Sequence, residues 1–252
     1  MAEQVEKLPE AYAPLISALK SMHKDSKYSD LTIKCGDQEW SVHKAIVCSQ
    51  SSFFEKHCDK GWMQGEEHVI TLPEDDPHVV DAMIRYFYTF DYSDEHHVKP
   101  DESECTSPIV FDVLVHMIAD KNEIPSLEKL AAIMFDQRAK NEWDTKPFAD
   151  AATLIYTEAA DRMNHLKNTI LSVATEHADV LSELASETGR HFRSAVDTVP
   201  ALGSALWRGY IEHAKAGAVK QPRRYGCPYH CGHNKLGSDI TNNGNVYCEG
   251  CG

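Results

Sequence analysis

The sequence predicts an α+β domain, a small sheet with a helical cluster, followed by an all-α extension and a small zinc-binding tail. Three observations carry this. Between Tyr28 and Tyr92 the apolar period moves from two to helical spacing, back to two, and to helical spacing again. From Ser107 to about residue 215 it stays helical. Beyond that, four cysteines fall in two closely spaced pairs within residues 227–252.

The elements follow in order. Leu8, Tyr12, Leu15, Ile16 and Leu19 recur at helical spacing over 8–23, with Pro9 early and Pro14 inside, and predict a short leading helix. Leu31, Ile33 and Cys35 alternate with Thr32 and Lys34, a strand burying one face. Gly36-Asp37 suits a tight hairpin, and Trp40 and Val42 continue the alternation on the returning strand. Ala45, Ile46, Val47, Phe53 and Phe54 read as short buried helices, with Ser49, Ser51 and Ser52 as capping candidates. Val69, Ile70 and Leu72 form a third strand. Asp76 is an N-cap candidate and Pro77 a first helical residue; Val79, Val80, Met83, Ile84 and Phe87 mark one apolar face.

Residues 91–108 read as a polar, acidic loop containing His96-His97, a pair poorly spaced for one metal site. Ser107-Pro108 then opens a helix with Val110, Val113, Leu114, Met117 and Ile118 on one face. Leu127, Leu130, Ala131, Met134 and Phe135 give the next helix, and Phe148, Ala151, Ala152 and Ile155 another. Met163, Leu166, Ile170, Val173, His177, Val180 and Leu184 step by three and four, the pattern of a helical hairpin or of a short coiled coil. Gly189 and Pro200 punctuate two further short helices that end with Leu202, Leu206 and Tyr210.

Ser29-Asp30-Leu31, Val42-His43-Lys44, Ser51-Ser52-Phe53-Phe54, Leu72-Pro73-Glu74-Asp75-Asp76-Pro77 and Tyr86-Phe87-Tyr88-Thr89 together resemble the BTB/POZ domain, in the form common to the large fungal set of BTB proteins. Ala119-Asp120-Lys121-Asn122-Glu123-Ile124 resembles the phrase that ends the domain, with Asn122 in place of Tyr. The resemblance implies a lead-in over 1–27, a BTB/POZ domain over 28–124 and a helical extension over 125–215. It also implies a protein-interaction role, with self-association, a cullin or another protein as partner. By resemblance, Asp30 matches an aspartate near the family's dimer interface. In cullin-binding members the connector before the third strand carries a hydrophobic-x-Glu word. Here Met63-Gln64-Gly65 has Gly at the Glu position and Glu66 comes one residue late. Trp62 and Met63 are candidate partner anchors, or fillers between helix and sheet. His43, with no nucleophile motif beside it, reads as a packed structural histidine.

Residues 216–226 read as a linker to the tail. Cys227 and Cys231, spaced Cys-x3-Cys, face Cys248 and Cys251, spaced Cys-x2-Cys. Two such cysteine turns supply the tetrahedral soft-ligand set of a structural Zn2+. His230 gives Cys-x2-His spacing with Cys227 and competes with Cys231 as the fourth ligand. The tail resembles the zinc ribbon appended to many fungal BTB proteins.

The formal net charge of −14 argues against a nucleic-acid-binding body. The segment from Ala216 onward, with Lys220, Arg223, Arg224 and Lys235 against Asp239 and Glu249, is mildly basic. The alternative function is therefore a zinc-containing transcription or chromatin regulator that uses the BTB domain for self-association. The first residues carry no apolar run, no apolar stretch is long enough to span a membrane, and Cys35, Cys48, Cys58 and Cys105 read as buried thiols and not as disulfides. The expected compartment is the cytoplasm or nucleus. No catalytic motif is visible, so an enzyme is not expected.

Overall fold

A computed structural model describes residues 12–64, 68–92, 106–158, 163–183, 187–219, 225–226 and 234–235. The chain divides into two compact units, Met1–Val199 and Pro200–Gly252.

The first unit opens with α1 (Ala13–Asp25), which has Pro14 in its first turn and ends in a left-handed Ser26. The sheet follows: β1 (Leu31–Cys35), β2 (Gln38–Val42) and β3 (Val69–Thr71), in the order β2-β1-β3. β1 and β2 form an antiparallel hairpin from Leu31↔Val42 to Cys35↔Gln38. Gly36 turns it at a φ of 56°, a conformation that glycine adopts without a Cβ clash. β3 runs parallel to β1, with Ile33 opposite Ile70. Leu31, Ile33 and Cys35 are buried, as the period-two pattern predicts. Leu72 lies just past β3 and still donates its N–H to the Lys34 carbonyl at 2.8 Å.

The crossover from β2 to β3 holds α2 (Lys44–Val47) and α3 (Ser52–Gln64). Of the three candidate serines, Ser51 caps α3: its Oγ accepts from Phe54 N–H at 3.2 Å and donates to the Asn122 carbonyl at 2.6 Å.

α4 (Pro77–Thr89) is capped by Asp76, whose carboxylate accepts from His78 N–H. It is buried on more than the one face expected. Ala82, Tyr86 and Tyr88 are covered together with Val79, Val80, Met83, Ile84 and Phe87. The reason is its central place, with α1, α2 and α5 all packed against it. Each fully buried large apolar side chain contributes about 1.5–3 kcal/mol, so α4 anchors the core.

α5 (Pro108–Lys121), α6 (Pro125–Glu142), α7 (Lys146–Glu158) and α8 (Asn164–Glu176) follow. Ser107 occupies the N-cap position of α5, but its side chain makes no capping bond. The buried face of α5 is rotated from the one expected. Ile109, Asp112, Val113, Val115, His116, Ile118 and Ala119 are covered, whereas Val110, Leu114 and Met117 are half-buried. α4, α6 and α7 enclose α5 on several sides, so a single amphipathic stripe understates its burial.

The long run of three-and-four spacing breaks at His177. α8 ends there, and α9 (Ala178–Leu181) buries Leu181 while Val180 is half-covered. This excludes a continuous coiled-coil helix, because the backbone leaves the helical path at His177. α10 (Glu187–Thr198) packs on α7 and carries Gly189 inside it, not at a break.

In the second unit, α11 (Pro200–Val219) is a long helix and runs into the stretch read as a linker. β4 (Tyr225–Gly226) pairs antiparallel with β5 (Asn234–Lys235). No helix among the described residues is long and apolar enough to cross a membrane.

Candidate functional site

The leading helix makes the clearest surface. Tyr12, Leu15, Leu19 and Met22 recur at spacings of three and four and share one stripe. Met22 packs on the core and His23 stacks on the Tyr88 ring at 5.0 Å. Toward the other end Leu19 is half-buried, Leu15 is 58% exposed and Tyr12 51%. α1 contributes no fully buried residue to the chain. Its apolar stripe therefore starts on α4 and runs out into solvent.

Asp30 sits at the entry to β1 and is exposed in the single chain. Its Oδ1 accepts from the Lys44 N–H at 2.8 Å, satisfying a free donor at the start of α2. Asp30 is thus a capping residue between strand and helix, whatever else it meets.

His43 is built in, as expected. It is 5% exposed. Nε2 donates to the Lys27 carbonyl at 2.7 Å, since a carbonyl can only accept. Nδ1 then accepts from the Tyr88 hydroxyl at 2.8 Å, and that oxygen accepts from the His43 backbone N–H at 3.0 Å. Every polar atom of the pair has a partner. Burial pushes the Tyr88 phenol up to about 12, so the hydroxyl keeps its proton. A ring held on both nitrogens is positioned for architecture and not for proton transfer.

Trp62 and Met63 fall in the last turn of α3, where only the backbone is described, and Glu66 lies outside the described residues. Cys227, His230, Cys231, Cys248 and Cys251 also lie outside them, the first three between β4 and β5 in sequence and the last two after β5.

Two polar constellations were not foreseen. Asp112 on α5 bridges Tyr92 and Arg138, joining the segment after α4 to α6. Between α6 and α8 lies a groove of about 460 Å³ lined by residues including Asp136, Lys140, His165, Thr169, Ser172 and Glu176. Asp136 accepts from His165 Nε2 at 2.8 Å and from the Thr169 hydroxyl at 2.6 Å. In an activated triad the hydroxyl donates to the imidazole. Here it donates to the carboxylate, so the arrangement is a structural tie. Among the described residues no group of three or more His, Cys, Asp or Glu side chains is arranged to hold a metal.

The family model described as BTB/POZ domain matches residues 19–133, and this part of the chain is a BTB/POZ domain, a protein-interaction module. Kelch-like protein 41 from Mus musculus and from Rattus norvegicus is 27% identical over 75 residues, which is 30% of this chain and 12% of the relative. The chain thus matches only about an eighth of the length of those proteins. Among solved structures, the BTB domain of zebrafish PATZ1 is similar with a TM-score of 0.39 at 15% identity, covering 53% of this chain and 98% of that one. The BTB domain of human Gigaxonin gives a TM-score of 0.37 at 16% identity, covering 52% and 96%.

Proposed function

We propose that this chain is a BTB adaptor or scaffold that associates with a second copy of itself through the outer half of α1. The observation that carries this is the stripe that leaves the domain. Leu15 and Tyr12 are each more than half exposed on a helix that buries nothing fully in its own chain. Covering such residues is what a partner supplies. The helices after Ile124 would widen the platform, and this arrangement of a BTB domain followed by helices makes a cullin amino-terminal region the partner class of the adaptor version. In this reading the protein works in the cytoplasm or nucleus, catalyses no reaction, and carries a structural Zn2+ on its tail cysteines. Thiolates with one imidazole alternative are a donor set that suits zinc.

Size-exclusion light scattering of the full chain, alone and mixed with a cullin amino-terminal region, tests both parts. A dimer mass supports the α1 interface, and a co-eluting complex supports the ligase-adaptor version. A monomer that ignores the cullin at tens of micromolar would rule out both and move the weight to a non-cullin, monomeric scaffold.

A further inference from the structure

We infer that Cys48 and Cys58 form a redox site, a thiol pair that closes to an intrachain disulfide when a hydroperoxide reaches it and reopens with a dithiol. Cys48 is the C-cap of α2, and Cys58 lies within α3. Both are free and half-buried, and their sulfurs stand 3.1 Å apart. A disulfide bond is about 2.05 Å long, so closure asks the two sulfurs to approach by about 1 Å. α2 and α3 pack on each other, and each is pinned at its start, α2 by the Asp30 carboxylate and α3 by the Ser51 hydroxyl. The two thiols are therefore held facing one another by independent caps.

The geometry also assigns an order. The Cys48 S–H donates to the Cys58 sulfur. Burial, then the contact with Cys58, pushes the Cys48 thiol up to about 12; Lys44 pulls the other way and Asp30 adds to the push. Cys48 thus keeps its proton, and Cys58 meets the oxidant first. The Cys58 sulfur attacks the hydroperoxide, the O–O bond breaks, and an alcohol or water leaves, giving a sulfenic acid at Cys58. The Cys48 sulfur then attacks that sulfur, the S–O bond breaks, and hydroxide departs as water with the Cys48 proton. Two thiols are oxidised, and one hydroperoxide is reduced. The product cross-links α2 to α3 and fixes the helix that leads into residues 65–67.

The test uses the full chain with hydrogen peroxide, followed by alkylation in denaturant and trypsin. Cleavage after Lys44, Lys56 and Lys60 places Cys48 in peptide 45–56 and Cys58 in peptide 57–60. The expected product is these two peptides joined, two hydrogens lighter than their sum, and separated again by dithiothreitol. Cys35 serves as the internal control. It is fully buried and donates to the Asp75 carbonyl, so peptide 35–44 is recovered alkylated. Cys48→Ser leaves a sulfenic acid on Cys58 that dimedone captures, and Cys58→Ser leaves Cys48 reduced. Recovery of 45–56 and 57–60 as separate alkylated peptides, or each joined to another cysteine, would overturn the inference. The mapping on the unaltered chain decides this even where a serine variant fails to fold.

Discussion

Arg138 Nε donates to Asp112 Oδ2 at 2.8 Å, an ion pair in which the carboxylate side chain is 2% exposed and the guanidinium 30%. The other carboxylate oxygen accepts from the Tyr92 hydroxyl at 2.8 Å. Three parts of the chain meet at this carboxylate: the segment after α4, the first half of α5 and the latter half of α6. The contact ties the α+β domain to the helices that follow it.

Asp112→Ala should therefore be among the most damaging single changes in the chain. It strands the buried Tyr92 phenol and leaves the partly buried Arg138 guanidinium with only the longer 3.9 Å contact to Glu142. Breaking a buried pair in this way costs about 3–5 kcal/mol, and the low end applies because Arg138 keeps some water. Asp112→Asn is expected to be little better, because its amide N–H₂ meets the Arg138 N–H when its oxygen serves Tyr92. Tyr92→Phe removes only one hydrogen bond and should lose about 1 kcal/mol. Urea unfolding of the three variants checks the ranking. Equal losses for Asp112→Ala and Tyr92→Phe would mean that Arg138 contributes nothing.

Asp112 and Arg138 also show where sequence reading stops. The hairpin at Gly36, the Asp76-Pro77 cap and the apolar positions of α4, α6 and α7 were legible because each is a local signal with a short-range cause. Asp112 and His116 were not. A polar residue inside an apolar run reads as the wet side of a helix, and only the packing of α4, α6 and α7 around α5 turns those positions inward. The break at His177 was hidden for the opposite reason: the three-and-four spacing continues past it, while the backbone does not. The outer half of α1 was visible as an apolar stripe, but spacing alone could not say that its own domain covers only one end. The Cys48–Cys58 pair needs the fold, since nothing in a ten-residue separation aims two thiols at each other.

His116 sets a pH dependence. It is 4% exposed, its Nδ1 has no hydrogen-bond partner among the described residues, and Nε2 stands 3.7 Å from a Glu128 oxygen. Burial holds its pKa below the usual 6.5, with Asp120 opposing and His165 adding to the effect. A lowered folded-state value means the unfolded chain takes up the proton more readily. The stability from this group is present above pH 6.5 and is lost as pH falls through the folded value. Asp112 works in the opposite sense. Burial raises it to about 6 against the pull of Tyr92 and Arg138, so its contribution is fully present below about 3.8 and fades as pH rises through 6. His116→Leu removes the first effect and leaves the second. The variant should match or exceed the unaltered chain at pH 7 and should lose less between pH 6.5 and 5. Melting curves at both pH values read the difference, and parallel losses in the two proteins would show that His116 does not titrate with folding.

Tyr88→Phe separates hydrogen bonding from stacking. The ring remains to pack against His23, but His43 loses both a donor to Nδ1 and an acceptor for its backbone N–H. An unsatisfied buried polar group costs about 1–3 kcal/mol. The variant should be less stable by at least the lower figure while α1 stays docked. Denaturant midpoints and hydrogen exchange in α1 measure the two effects. Loss of protection confined to α1 would mean that the hydroxyl, and not the ring, holds that helix.

Leu15→Glu tests the α1 interface without touching the core. Surface changes away from special features usually stay within about 0.5 kcal/mol, and Leu15 is 58% exposed in the single chain. Its melting temperature at high dilution should hold, while its mass by light scattering should fall from dimer to monomer. A variant that remains dimeric would place the self-association elsewhere than on α1.

Zinc removal should act on the tail alone. A segment of this length has little apolar surface to bury, so metal would supply most of its folding free energy, about 10–16 kcal/mol in comparable peptides. The chain purified in the presence of zinc should retain one ion after gel filtration, and Cys227→Ser, Cys248→Ser and Cys251→Ser should each lose it. Comparing Cys231→Ser with His230→Ala identifies the fourth ligand, because only the true ligand lowers the metal content. A strong chelator should open the chain to trypsin after Lys235, while the far-ultraviolet helix signal and the urea midpoint of the BTB/POZ domain stay unchanged. Metal content near zero in the unaltered chain would remove the ribbon reading, and a chelator that unfolds the whole chain would show that the tail supports the BTB/POZ domain.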